Sequence, residues 1–205
     1  MHREILNQNQ IDLLPLISSF KREYYLVGGT AIALYLGHRR SIDFDLFKYS
    51  TIYHTNNLKK IEKFRFPYSI KRRVSEQMNM DIHGVKVTFF QYPFDIHAET
   101  LFDNIIKLPT LLDLAAMKAY ALGRRAKWKD YVDLYFLLAN CFSIAEISQR
   151  ANEIFKDLFS EKQFRAQLTY FEDINYSEEV EYIVPNPPAE ETVKEELIRM
   201  ATDIF

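Results

Sequence analysis

Apolar and polar positions alternate along this chain in two different periods, and the change falls near residue 108. Before it, the alternation is mostly of period two. Tyr24 to Val27 is a short hydrophobic run that predicts a buried strand ending at Gly28-Gly29. Ser41 to Leu46 predicts a second strand, with Asp43 and Asp45 on one face and Ile42, Phe44 and Leu46 turned into the core. Three further strands are predicted over 69–74, 78–82 and 85–91, the last two joined by a turn at Asp81-Ile82-His83-Gly84. Between these lie predicted helices over 11–20, from Thr30 through Tyr35 to a stop at Gly37, and near 57–63. From Thr110 the period becomes helical. Thr110-Leu111-Leu112-Asp113 resembles a capping box and starts a helix to about Arg124; a second spans Trp128 to Asn140 and a third begins at Ser143. Pro185, Pro187 and Pro188 break the chain before a terminal helix from Glu190 onward. The reading is an α/β lobe over residues 1–108 and a helical lobe over 109–205.

At 205 residues, 48% of them hydrophobic and 15% aromatic, the chain can bury a sizeable core. Its single cysteine, Cys141, leaves no internal disulfide to form and reads as a small buried apolar residue in a reducing compartment. The N-terminal residues lack the apolar core of a signal peptide, and no apolar run is long enough for a bilayer, so a cytoplasmic protein with no membrane partner is expected. Net charge is only −2, but it is unevenly spread. Lys59, Lys60, Lys63, Lys71, Arg72 and Arg73 belong to a basic stretch, and an acidic one runs from Glu172 to Glu196. Each reads first as solvated surface, although a basic stretch near a phosphate site would steer a polyanion.

The candidate chemistry gathers at the first two strands. A Gly-Gly turn leaves no side chain between the backbone and a ligand, and the helix that follows points free N–H groups at the same place, so Gly28, Gly29 and Thr30 form a candidate phosphate seat. Two carboxylates on one face, Asp43 and Asp45, repel each other unless a cation lies between them, and all-oxygen ligation suits Mg²⁺ or Mn²⁺. Arg39 and Ser41 fall on the same alternation and face the seat. Lys118 and Arg125 are seven residues apart, which places both on one helix face and suits a triphosphate. Asp130 and Asp133 neighbour each other on the next helix; they orient those cations, touch the nucleotide, or form a structural bridge. His38 is structural or contacts phosphate. Trp128 and the aromatics Phe89, Phe90, Tyr92 and Phe94 read first as core and second as a stacking surface for a base.

A Gly-Gly turn, one short helix and a strand bearing Asp-x-Asp is the order found in the nucleotidyltransferase superfamily related to DNA polymerase beta. More narrowly, Tyr25-Leu26-Val27-Gly28-Gly29-Thr30-Ala31 with His38 to Phe47 resembles the first motif of the AbiEii/AbiGii toxin family. Asp113 to Lys118, Arg125, and Lys129-Asp130-Tyr131-Val132-Asp133-Leu134-Tyr135 are similar to its helical motif, and Tyr170-Phe171-Glu172-Asp173 to a weaker fourth one. The resemblance implies an N-terminal nucleotidyltransferase lobe with a mixed β-sheet flanked by helices, plus a C-terminal helical lobe. It implies transfer of a nucleoside monophosphate from a nucleoside triphosphate to an acceptor hydroxyl, with catalytic Asp43, Asp45, Lys118 and Asp130. It also implies a toxin acting on RNA such as tRNA and held by a cognate antitoxin. One departure is expected: the superfamily places a third carboxylate on a neighbouring strand, and here Thr88 is the candidate for that position, with Asp81 and Asp95 as substitutes. Two rivals therefore stand beside the toxin reading, an antibiotic-type enzyme acting on a small molecule and a degenerate module that binds nucleotide or partner without transfer.

Overall fold

The computed structural model describes residues 1–203. Seven strands form a single mixed sheet: β1 (Tyr25–Val27), β2 (Asp43–Lys48), β3 (Tyr68–Val74), β4 (Gln77–Ile82), β5 (Val85–Gln91), β6 (Ala98–Phe102) and β7 (Ile106–Pro109). Their order across the sheet is β3-β4-β5-β2-β1-β7-β6. The β2–β5 and β1–β7 pairs are parallel and the others antiparallel. Among the described residues eight α-helices accompany them: α1 (Gln8–Ser18), α2 (Gly28–Leu36), α3 (His54–Lys63), α4 (Leu111–Leu122), α5 (Trp128–Asn140), α6 (Ile144–Phe155), α7 (Glu161–Leu168) and α8 (Glu190–Thr202).

The local chemistry of each element is visible at its ends. Asn7 closes a capping box with Gln10 at the start of α1, and Ser143 closes one with Glu146 at the start of α6. Gly37, at φ 64, ends α2 as a left-handed cap. The β4–β5 hairpin turns on His83 and Gly84, both at positive φ, as a two-residue loop of right-handed twist requires. At Thr110 the hydroxyl accepts from the Asp113 N–H, but the Asp113 carboxylate turns to the Thr110 hydroxyl and to Arg150 instead of closing the box on the backbone.

One face of the sheet carries Phe44, Leu46, Met78, Met80, Val87 and Phe89, all essentially without exposure. Phe89 meets Phe20 and Tyr24 edge-to-face at ring separations of 4.9 and 5.4 Å. The opposite face carries Asp43, Asp45 and Phe47 of β2, and on that side α2 packs against α4 and α5.

Several expectations need correction. Ile42 is 63% exposed, because the strand and its alternation begin one residue later at Asp43. Strands β6 and β7 and helix α7 were not anticipated, and α2 starts at Gly28 itself, two residues before Thr30. Helix α4 ends at Leu122, so Arg125 lies in the following loop and shares no helix face with Lys118. Cys141 is exposed, just beyond α5. Among the described residues no single helix is long and apolar enough to cross a membrane.

Candidate active site

The parallel pairing of β2 with β5 sets Asp43 beside Lys86 and Asp45 beside Thr88. The antiparallel pairing of β2 with β1 sets Asp45 beside Val27, the residue before Gly28. Both aspartates thus emerge at the N-terminus of α2, under a cavity of about 480 Å³ between the sheet and α4. That volume lies within the range of small-ligand pockets.

Gly28 is required here for two reasons. Its φ of 74 belongs to the left-handed region, and a Cβ at this position would collide with the Asp45 carboxylate. A Cβ on Gly29 would collide with the Arg39 guanidinium. Replacing Gly28 by alanine is expected to displace Asp45 and to lower the transfer rate about 10²-fold, the cost of misplacing a reacting group by about 1 Å. The same variant should lose about 1–2 kcal/mol of stability. Steady-state kinetics beside a melting curve checks both; an unimpaired rate would contradict the placement.

Asp45 is half-buried, and desolvation of its carboxylate, with the neighbouring Asp43 charge, pushes its carboxyl up from the usual range; Thr88, Lys86 and Lys129 oppose this only partly. Asp43 is partly compensated by Lys86 at 3.5 Å and Lys129 at 3.6 Å. The donor set is all oxygen, and Mg²⁺ is commonly held by one or two carboxylates together with phosphate oxygens and waters, so the pair fits one such ion. Among the described residues no third His, Cys, Asp or Glu joins them. Thr88 holds the position beside Asp45, and neither Asp81 nor Asp95 lines the cavity.

The predicted cations are placed differently from expectation. Arg39 is buried and gives both Nε and Nη2 to Asp133, at 2.7 and 2.8 Å, and His38 Nε2 meets the same carboxylate at 2.8 Å. Lys118, also buried, bridges Asp130 at 2.7 Å and Asp133 at 2.8 Å. Arg125 Nε donates to Asp130 at 3.0 Å while half its side chain remains exposed. Burial alone would raise the Asp133 carboxyl, but Arg39, Lys118 and His38 hold it well below the usual carboxylate range. Burial of Lys118 is likewise outweighed by its two aspartates, which raise its ammonium above the ordinary value. Burial lowers His38, so it is neutral near pH 7 and its role is structural. Arg39 and Thr30 do not line the cavity. The Thr30 hydroxyl donates to the Asp43 carbonyl and accepts from the Ser41 hydroxyl at 2.8 Å, which ties α2 to the entry of β2 and takes that hydroxyl away from a phosphate. Gly28, Gly29, Ser41, Lys118 and Arg125 do line it.

Lys86, Arg124, Lys127 and Lys129 also face the cavity and were missed. The run Arg124-Arg125-Ala126-Lys127-Trp128-Lys129 was their available signal. Glu178, from the acidic stretch, pairs with both Lys127 and Lys129; burial would raise its carboxyl, but those lysines bring it down to about 2. The aromatics divide: Phe89 and Trp128 are core, while Phe47, Phe90, Tyr92 and Tyr120 reach the cavity wall. Phe94 stays in an aromatic cluster with Tyr92 and Phe155.

A Gly-Gly helix start, an aspartate pair on the adjoining strand and a cationic opposite wall define a nucleotidyltransferase. Residues 16–202 match the family described as nucleotidyl transferase AbiEii toxin of a type IV toxin–antitoxin system, and the chain belongs to that family. It is 28% identical over 159 residues to an uncharacterized protein of Aquifex aeolicus (strain VF5), covering 74% of this chain and 75% of that relative. Its fold is similar to that of MenT4, a nucleotidyltransferase toxin from Mycobacterium tuberculosis H37Rv, with a TM-score of 0.59, 13% identity and coverage of 96% and 82% of the two chains. It is also similar to the antibiotic-resistance factor ANT(2'')-Ia, with a TM-score of 0.52 and 12% identity, over 70% of this chain and 90% of that one.

Proposed function

We propose that this nucleotidyltransferase moves a nucleoside monophosphate from a nucleoside triphosphate to a hydroxyl of RNA, such as a tRNA end, as the toxin partner of a cognate antitoxin. The observation that carries the reading is the half-buried pair Asp43 and Asp45, close enough for the Asp43 charge to raise the Asp45 carboxyl, at the N-terminus of α2. Asp43 and Asp45 would hold Mg²⁺ or Mn²⁺, which when bound supplies neutralisation of the triphosphate charge.

The chain's own groups supply the rest. The N–H groups of Gly28, Gly29 and Thr30, with the Ser41 hydroxyl, receive phosphate oxygens at the helix start. Arg125 and Lys129 offer positive charge to the triphosphate, and Lys118 faces the cavity from between Asp130 and Asp133. Asp130 is a positioning residue, since it fixes both Lys118 and Arg125. Arg39 acts through the same network and not by phosphate contact. The acceptor hydroxyl oxygen forms its bond to the α-phosphorus as the bond to pyrophosphate breaks, and its proton passes to solvent. Transfer of this kind gains mostly from positioning and charge stabilisation. Residues 1–108 are proposed as the lobe that presents the aspartates and Lys86, and 109–205 as the helical lobe that presents the other cations.

Charge separates this reading from a cationic small-molecule acceptor of the antibiotic type. Six Lys or Arg side chains and two carboxylates line the cavity among the described residues, which disfavours a polycationic acceptor. Sequencing RNA 3′ ends after expression in cells tests the proposal. Added nucleotides are expected with the native chain and not with Asp43→Ala; the same 3′ ends in both would contradict it.

A further inference from the structure

The two flanks of the aspartate pair differ in chemistry. On the helical flank stand Lys118, Arg125, Lys127 and Lys129, with the α2 N-terminus beside them. On the strand flank Lys86 is paired with Asp43 at 3.5 Å, and beyond it stand Thr88, Asn79 and Gln77, a hydroxyl and two amides without charge. A triphosphate belongs on the cationic flank, which leaves the neutral flank to the second reactant.

Strand register extends that flank outward. Asp45 pairs with Thr88, Thr88 with Asn79, and Asn79 with Arg72. Cross-strand partners share a face, so these four side chains form one row from the cavity to the edge strand β3. At the usual strand spacing Arg72 lies about 14 Å from Asp45. Gln77 Nε2 donates to Asn79 Oδ1 at 3.0 Å, which leaves an Asn79 N–H and the Gln77 carbonyl to read a hydrogen-bonding edge. Phe90, the register partner of Gln77, adds an aromatic surface packed on Phe47 at 5.1 Å. Lys118, Arg125, Lys127 and Lys129 all pair with carboxylates, whereas the exposed Arg72 makes no salt bridge among the described residues.

We propose that this face of the β3–β4 hairpin is the docking track of the acceptor, a single-stranded RNA 3′ end. The terminal sugar lies over Thr88, its base meets Asn79 and Gln77 beside Phe90, and the phosphate behind it meets Arg72. The assignment rests on the transfer to RNA proposed above. It adds which residues select the acceptor and from which side it enters. Backbone phosphate contacts of this type give affinity that falls with salt, and stacked bases add to it.

The test is steady-state transfer from a labelled nucleoside triphosphate to a short single-stranded RNA, beside titration of the same triphosphate without RNA. Arg72→Glu is expected to raise the KM for RNA tenfold or more while leaving triphosphate affinity within about twofold. Arg72→Ala is expected to make the dependence of log KM on log salt shallower by about 0.7, the value for one phosphate contact on a single strand. Asn79→Ala is expected to change which terminal nucleotide is preferred. If Arg72→Glu and Arg72→Ala leave the RNA KM and its salt slope unchanged while the native chain extends RNA, the track is wrong and the transfer reading stands. A native chain that extends no RNA overturns both.

Discussion

Replacing Asp45 by asparagine is expected to raise the melting temperature of the ligand-free protein and to lower its transfer rate by about 10³-fold or more. The two effects share one cause. Burial and the Asp43 charge raise the folded-state pKa of Asp45 above its unfolded value, so at neutral pH the ionised group costs stability. The sign follows from proton binding: between the two pKa values the folded state holds the proton more tightly. The penalty is therefore absent below the unfolded pKa of about 4 and complete above the folded one. Asparagine removes the charge and the penalty with it, but it also removes half of the carboxylate pair proposed to hold the metal at the phosphates. Loss of one well-placed electrostatic contribution costs about 10²–10³-fold, and removing the charge of a metal ligand belongs at or above the upper end. Differential scanning fluorimetry with and without Mg²⁺ and triphosphate, beside transfer rates, checks both halves. A variant less stable than the native chain would show that Asp45 is structural.

Asp133→Asn should do the reverse, destabilising the fold by about 3–5 kcal/mol, the cost of leaving buried charges without their partner. Asp133 has no exposure and receives Arg39, Lys118 and His38 together. Against a total stability of about 5–15 kcal/mol, that loss is readily measured as a drop in the urea midpoint. The pH dependence has a defined sign. The folded-state pKa of Asp133 is depressed, so its stabilisation is present above the ordinary carboxylate pKa and is lost as pH falls through the depressed value. His38 is also depressed by burial, so the unfolded chain takes up its proton first and stability begins to fall below about pH 6.5. The native protein should therefore lose stability progressively on the acid side. The Asp133→Asn variant should start lower and show a flatter acid limb below about pH 4. An unchanged urea midpoint would show that the network contributes nothing net.

These two residues mark where the sequence was informative and where it was not. Asp45 was legible because period-two alternation is local: Asp43-Phe44-Asp45-Leu46 needs only its own strand to decide which side faces out. The same reasoning recovered β4, β5 and α5, whose patterns are long and bounded by turns or caps. The partner of Arg39 was not legible, since Asp133 lies 94 positions away and only tertiary packing brings them together. Alternation placed Arg39 toward the phosphates, and burial against Asp133 overrode it. The shared helix face of Lys118 and Arg125 failed for another reason: a spacing of seven puts two residues on one face only while the helix lasts, and α4 stops at Leu122 before Gly123; both still line the cavity, joined through Asp130. Strands β6 and β7 are short, and their connection at Asp103-Asn104, both at positive φ, was a turn signal left unread.

The central claim is that Asp43 and Asp45 together bind the triphosphate through a divalent ion and so permit transfer. Its most direct measurement uses purified protein, Mg²⁺, RNA and a nucleoside triphosphate labelled at the α-phosphate, following labelled RNA and released pyrophosphate together. The native chain is expected to produce the two in equal amounts, and Asp45→Asn, though folded, to produce neither. Transfer by that variant at the native rate would contradict the account.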